Sequence, residues 1–301
     1  MANNIGRRDF IIQASQVGLG FTVLGSLAAC SKSPKVKPGS GMKFGLVTYQ
    51  WGRDWDLPTL IANCEKANYA GVELRTQHAH GVEPTLSAAE RAEVKKRFDD
   101  SPVTCVGYGS NQAYHYKDPE RLKKSIEDTY ELIKLSHDIG GSGVKVKPNA
   151  LPEDVPPEKT IEQIGVSLNK VGKFAADYGQ EIRVEVHGKK TSELPVMKEI
   201  FSHVTEPNVG ICWNCNDTDL LPPGLEANFN MVKDRFGHTL HIRELNVGDY
   251  PYQQLFNLLV GMDYSGWILL EARTQPEDRI RAMKEQLALF NEMIAKAQEQ
   301  V

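Results

Sequence analysis

From Met42 onward, short β-branched runs alternate with longer amphipathic ones, and the alternation repeats eight times. The short runs are Phe44–Tyr49, Gly71–Arg75, Val103–Tyr108, Gly143–Lys147, Ile182–His187, Val209–Trp213, Thr239–Glu244 and Trp267–Ala272. Helical patterns follow them at Pro58–Tyr69, Ala88–Asp99, Pro119–Ile139, Pro157–Tyr178, Thr191–His203, Gly224–Arg235, Pro251–Gly261 and Pro276–Ala297. Several of these open with Pro, Ser, Thr or Asp near the first turn, where helix starts favour them. Alternation of strand and helix implies a parallel sheet, because parallel neighbours need a crossover between them. Eight units in about 260 residues match an α/β fold of the (β/α)8 TIM-barrel type in number and size. The alternative is an open doubly wound sheet, which calls for a glycine-rich nucleotide turn after the first strand; the sequence has none there.

The first thirty residues do not share this pattern. Arg7-Arg8-Asp9-Phe10-Ile11-Ile12 reads as a twin-arginine export signal, with an apolar run from Val17 to Ala29 behind it. That run is too short to span a bilayer as a permanent helix. It ends in Leu27-Ala28-Ala29-Cys30, which resembles a lipoprotein cleavage box with Cys30 as the lipidated residue. A short buried helix beginning at Gly18 is the competing reading. The expected organisation is a signal peptide at 1–29, a lipidated cysteine and flexible linker at 30–41, and a catalytic barrel at 42–301. The expected location is periplasmic, with the membrane engaged only through the lipid on Cys30. A formal net charge of −4 offers no basic face, so no nucleic-acid partner is expected.

In a barrel of this kind, functional side chains gather at the C-terminal ends of the strands while the strand bodies pack. The fifth strand ends Val184-Glu185-Val186-His187 and the sixth Cys212-Trp213-Asn214. The seventh carries Leu240-His241-Ile242-Arg243-Glu244, and the eighth ends Leu269-Leu270-Glu271-Ala272-Arg273. Side chains alternate between the two faces of a strand. With Val184, Val186, Ile242 and Leu270 toward the helices, Glu185, His187, His241, Arg243 and Glu271 face the axis. Asn214 joins them if Ile211 and Trp213 face outward.

Two carboxylates, an imidazole and an amide oxygen suit one divalent ion: Mn2+, Co2+, Mg2+ or Zn2+. Such an ion also relieves the repulsion between Glu185 and Glu271. The competing reading pairs Glu185 with Arg183 or Lys147, and Glu271 with Arg273, and makes His241 a satisfied core histidine. Asp217 is a second candidate for the sixth-strand ligand. Lys147, His187 and Arg243 are candidate contacts for substrate hydroxyls or an oxyanion. Trp213 and Tyr108 are candidate stacking surfaces for a sugar ring, with packing as the alternative. Glu73 reads as structural, paired with Arg75.

Cys212 and Cys215 form a C-x-x-C, a spacing found in redox and metal-thiolate sites. A redox pair wants its first cysteine at a helix N-terminus, where the dipole lowers the thiol pKa. Cys212 instead falls in a strand body, and no second pair completes a zinc site. Both are expected to be packing residues, and so are Cys64 and Cys105.

Six segments together resemble the sugar isomerase/epimerase family with the xylose-isomerase-like barrel, which also includes the endonuclease IV relatives. They are Tyr69 to Arg75 (YAGVELR), Leu132 to Gly140, Val184 to Gly188 (VEVHG), Pro207 to Ile211 (PNVGI), His241 to Glu244 (HIRE) and Tyr264 to Glu271 (YSGWILLE). The resemblance covers Met42 to Val301. It implies that Glu185, the strand-six residue, His241 and Glu271 are the metal ligands. It also implies that Glu185 and Glu271 are the acid/base pair on either side of a sugar carbon. The metal would bridge a carbonyl and an adjacent hydroxyl oxygen, so that one glutamate removes a proton and the other returns it. The family usually carries aspartate where this chain has Asn214, which removes one negative charge from the site.

The expected function is that of a metal-dependent isomerase or epimerase of an unphosphorylated sugar or glycoside, with a small carbohydrate as partner. A homo-oligomer is compatible with the sequence. A lyase or hydratase acting on 3-keto-glycosides through the same enediolate is the principal alternative. A non-catalytic carbohydrate-binding lipoprotein is another. A nuclease would need further zinc ligands; His78, His80 and His115 could contribute, but the strand-seven segment lacks the further D-x-H ligands.

Overall fold

The computed structural model describes residues 36–301. The predicted signal peptide and the lipidation candidate Cys30 lie outside the described residues. Within them the strands are β1 Lys43–Val47, β2 Gly71–Arg75, β3 Thr104–Ala113, β4 Gly143–Lys147, β5 Glu181–Glu185, β6 Val209–Cys212, β7 Thr239–Ile242 and β8 Trp267–Leu270. The helices that follow them are α1 Leu57–Lys66, α2 Ala88–Asp99, α3 Pro119–Asp138, α4 Pro157–Ala176, α5 Leu194–Ser202, α6 Leu225–Val232, α7 Tyr252–Gly261 and α8 Arg279–Gln298. None of them is long and apolar enough to cross a membrane.

All eight strands are parallel, in the order β6-β5-β4-β3-β2-β1-β8-β7. The two ends of this sheet meet. Gly237 N–H donates to the Ile211 carbonyl at 2.9 Å, and His241 N–H donates to the Trp213 carbonyl at 2.7 Å. The sheet therefore closes into a barrel, and the closure sets His241 beside Asn214.

Helix starts follow the sequence signals. Asp56, Ser87, Asp118 and Asp278 each accept a hydrogen bond from a first-turn N–H, and Ser87 forms a capping box with Glu90. The main core lies between strands and helices, where Val184, Val186, Ile211, Leu240, Ile242 and Leu270 are buried. Each such side chain contributes about 1.5–3 kcal/mol.

Inside the barrel the apolar content is small: Val47, Val106 and Leu269, with Tyr49 and Trp267 against them. Branched aliphatic side chains ordinarily fill this space. Here Glu73, Lys145, Arg183, Glu185 and His241 are all buried.

Two departures from the sequence pattern matter. The compact unit begins at Lys37, so the last residues of the expected linker belong to the barrel. Gly39 N–H donates to Asp263 at 2.7 Å, and the Gln298 amide donates to the Pro38 carbonyl at 2.9 Å. The third strand is also longer than expected and carries an irregularity. Val72 pairs with Cys105 but Glu73 pairs with Gly107, leaving Val106 as an extra residue. Such a bulge shifts the in–out alternation by one.

Candidate functional site

Glu73 on β2, Glu185 on β5, His241 on β7 and Glu271 just past β8 converge inside the barrel toward its C-terminal mouth. A ligand atom from each of Glu185, His241 and Glu271 can be chosen so that all three lie within 4.8 Å of one another. No other His, Cys, Asp or Glu group among the described residues converges in this way. Asn214 sits just past β6, with its side-chain nitrogen 3.0 Å from Glu185 Oε1. Asp217, the other sixth-strand candidate, is exposed on the following turn and takes no part.

Every carboxylate here already has a cation or imidazole beside it. Lys145, whose side chain is fully buried, places Nζ 2.5 Å from Glu185 Oε2, with Lys147 Nζ at 4.0 Å from the same oxygen. Arg75 Nη1 lies 2.7 Å from Glu271 Oε1, while its Nη2 donates to Asn111 at 3.1 Å. Glu73 Oε1 lies 3.3 Å from His241 Nε2. Gly109 makes room for this crowding: a Cβ there would stand 2.7 Å from Glu73 Oε1. The Glu73–Arg75 pairing expected from sequence does not form. Arg183 pairs with Glu181 at 2.8 Å on the lower part of the barrel, away from Glu185.

Burial pushes the Glu185 carboxyl up, but Lys145 and then Lys147 outweigh it and hold the group well below the usual carboxylate range. Burial, with Lys145 adding repulsion, draws the Lys147 ammonium down to about 8. Burial also lowers the His187 pKa. Burial opposes a charge on His241, yet Cys212 and Glu73 beside it raise its pKa well above the ordinary imidazole range.

The donor set fits a divalent cation. His241 is wholly buried, and neither of its ring nitrogens nor either Glu73 oxygen has a hydrogen-bond partner. A cation at Nδ1 would take the place of a proton there, leaving Nε2 toward Glu73 Oε1 at 3.3 Å. A carboxylate accepts at two oxygens. Arg75 occupies one oxygen of Glu271 and leaves the other for an ion, while on Glu185 Lys145 takes Oε2 and the Asn214 amide donates to Oε1 at 3.0 Å. Turning the Asn214 amide end for end would present its oxygen to the same point.

A cavity of about 90 Å³ opens here, lined by Tyr49, Arg75, Lys147, Glu185, His187, Asn214, Glu271 and Arg273. A larger cavity of about 640 Å³ lies at the opposite end of the barrel, around Lys43, Glu181, Arg183 and His238. The smaller one is the better candidate, because the convergent donors line it, whereas Glu181 in the larger is already paired with Arg183 and His238.

Lys147 and His187 line the site cavity, as a substrate contact must. Arg243 is half-buried and does not line it. Trp213 and Tyr108 are corrections: both are fully buried on the helix-facing side. Trp213 packs edge-on against Phe229 and Phe236 and donates to Tyr250 at 3.1 Å. Its neighbour Asn214 faces in, so Trp213 faces out. Tyr108 donates to the Val82 carbonyl at 2.9 Å and is turned outward by the bulge at Val106. Cys212 and Cys215 are both buried and unpaired, like Cys64 and Cys105.

Lys145, Arg75 and Arg273 are the site residues that sequence reasoning passed over. A signal for the first was present, since Gly143-Val144-Lys145-Val146-Lys147 alternates and puts both lysines on one face.

Lys147 and His187 are held together by a short parallel pairing of Asn149–Ala150 with Gly188–Lys189. Gly188 has a φ of +102°, and a Cβ on it would stand 1.9 Å from the Asn149 carbonyl oxygen. Only glycine fits there.

Comparison with known proteins agrees with this architecture. The profile of the xylose isomerase-like TIM barrel family matches residues 61–293. No curated protein sequence matches the chain. Among solved structures, an L-ribulose 3-epimerase superposes with a TM-score of 0.73 at 15% identity, covering 86% of this chain and 96% of that one. A 3-keto-D-glucoside 4-epimerase, YcjR of E. coli, gives 0.70 at 16% identity, covering 83% and 99%. An IolI protein with a bound zinc atom gives 0.71 at 15% identity, covering 85% and 99%. At such identities the likeness is one of fold. The chain belongs to the xylose isomerase-like TIM barrel family.

Proposed function

We propose that this protein is a divalent-metal-dependent isomerase or epimerase acting on an unphosphorylated sugar or glycoside by proton transfer next to a carbonyl. The observation that carries the reading is the approach of donor atoms from Glu185, His241 and Glu271 to within 4.8 Å at the barrel mouth, with His241 Nδ1 unpartnered. The similarity in fold to several sugar epimerases supports it.

Glu185, Asn214, His241 and Glu271 would hold the ion. When bound, the ion supplies Lewis-acid polarisation of a carbonyl and its neighbouring hydroxyl. Glu185 and Glu271 stand on different strands across the cavity, so one can take a proton from one face of a carbon and the other return it on the opposite face. Lys145 and Arg75 orient these two carboxylates, each through one carboxylate oxygen. Lys147 and His187 are placed to donate to an oxygen on which charge develops.

The cavity of about 90 Å³ is smaller than the roughly 300–1,000 Å³ typical of small-molecule sites. A sugar would therefore sit partly in the open mouth, among Tyr49, His187 and Arg273.

Elimination on a 3-keto-glycoside is the second reading. It is favoured by His187, whose Nδ1 is unpartnered beside the cavity and could protonate a leaving group. Export by the twin-arginine route and anchoring through Cys30 remain part of the proposal on sequence grounds.

The test is to incubate the protein with free ketoses and with 3-keto-glycosides in deuterated water. Epimerisation predicts deuterium at the reacting carbon, and Glu185→Gln should lower that exchange by about 10²–10⁴-fold. Turnover unaffected by Glu185→Gln would count against the assignment.

A further inference from the structure

We propose that the sugar taken by this site is anionic, carrying a carboxylate that Arg273 and Lys147 receive at the cavity mouth. This rests on the sugar isomerase reading and narrows its substrate class.

The reason is an imbalance of charge. The cavity lining holds the carboxylates of Glu185 and Glu271 against the cations Arg75, Lys147 and Arg273. Both carboxylates are matched before the last two cations are counted, Glu185 by Lys145 at 2.5 Å and Glu271 by Arg75 at 2.7 Å. Lys147 reaches only an oxygen that Lys145 already occupies, and from 4.0 Å, although its side chain is just 12% exposed. A cation that far out of water without a partner of its own is costly unless an anion arrives.

Arg273 is exposed at the rim of the cavity and has no carboxylate within 4.0 Å among the described residues. Glu244, which holds the Arg273 backbone, spends Oε1 on main-chain and hydroxyl donors: it accepts the backbone N–H groups of Arg273 and Thr274 at 2.9 and 2.7 Å and the Thr274 hydroxyl at 2.6 Å. A divalent ion on the Glu–His–Glu donors would add to the positive excess.

The geometry favours a carboxylate over a phosphate ester. Arginine's planar fork matches a carboxylate in two parallel hydrogen bonds, with lysine as a point charge beside it. Phosphate sites usually recruit a helix N-terminus, and in barrels the one after the seventh or eighth strand. Here α8 is capped by its own Asp278, whose carboxylate accepts from Arg281 N–H at 2.9 Å.

The experiment is calorimetric titration of the purified protein with D-glucose, D-galactose and D-mannose, with the corresponding hexuronates, and with glucose 6-phosphate. At least one hexuronate is expected to bind about tenfold or more tighter than its hexose. Arg273→Gln should abolish that advantage, lowering hexuronate affinity about tenfold more than hexose affinity. Equal binding of hexose and hexuronate would overturn the inference, as would an advantage that survives Arg273→Gln. So would a phosphate ester that outcompetes every hexuronate. Hexose binding with no preference for the acid leaves the isomerase reading standing and removes only this one. Binding of neither also overturns this inference, and the isomerase reading then stands or falls on deuterium exchange with ketoses and 3-keto-glycosides.

Discussion

Lys145 is the residue on which the chemistry of the site turns, because it is a fully buried cation hydrogen-bonded to a fully buried carboxylate. In the barrel interior neither charge can be left alone cheaply, and the attraction between them mainly offsets what both lose on leaving water. Replacing Lys145 with Met leaves Glu185 with the Asn214 amide and, as its nearest cation, Lys147 at 4.0 Å. Lys145→Met should lower stability by about 3–5 kcal/mol in urea unfolding of metal-free protein. The double variant Lys145→Met with Glu185→Leu should regain much of that loss. An unchanged midpoint in the single variant would mean that Glu185 does not depend on Lys145. Asn214 belongs to the same balance, since aspartate at that position would add a third negative charge to the donors and an amide does not.

At the level of elements, the site is built from strand ends and from the short extensions that tie neighbouring loops together. The pairing of Asn149–Ala150 with Gly188–Lys189 fixes the relative positions of Lys147 and His187. Because Gly188 combines a φ of +102° with a 1.9 Å Cβ clash, Gly188→Ala should break the pairing. Backbone strain of this kind costs about 1–3 kcal/mol. The melting temperature should fall, and sugar affinity should fall with it while metal affinity holds. Loss of both together would place the effect in the barrel as a whole.

This level also explains how much the sequence could reveal. The eight units and the inward set Glu185, His241 and Glu271 were legible, because a period of two assigns faces without knowledge of neighbours. Tyr108 was misassigned because one extra residue at Val106 inverted that period, and no residue type announces a bulge there. The partners of Glu271 and His241 were not legible either. Which inward side chains meet across a barrel depends on strand order and stagger, not on any one strand's pattern. Arg75 thus reaches Glu271 from β2 to the end of β8, and Glu73 reaches His241.

The molecule as a whole is a parallel barrel with an interior unusually rich in charge, and the proposed cation site lies at its mouth. A ligand that binds only the folded state stabilises it by mass action, about 2.7 kcal/mol at a hundredfold excess over Kd. The most direct test is titration of Mn2+ into chelator-stripped protein, followed by calorimetry, for the native chain and for His241→Ala. One saturable site is predicted in the native chain, with a matching rise in melting temperature, and neither in the variant. Absence of binding to the native chain, or undiminished binding to His241→Ala, would contradict the metal centre at Glu185, His241 and Glu271.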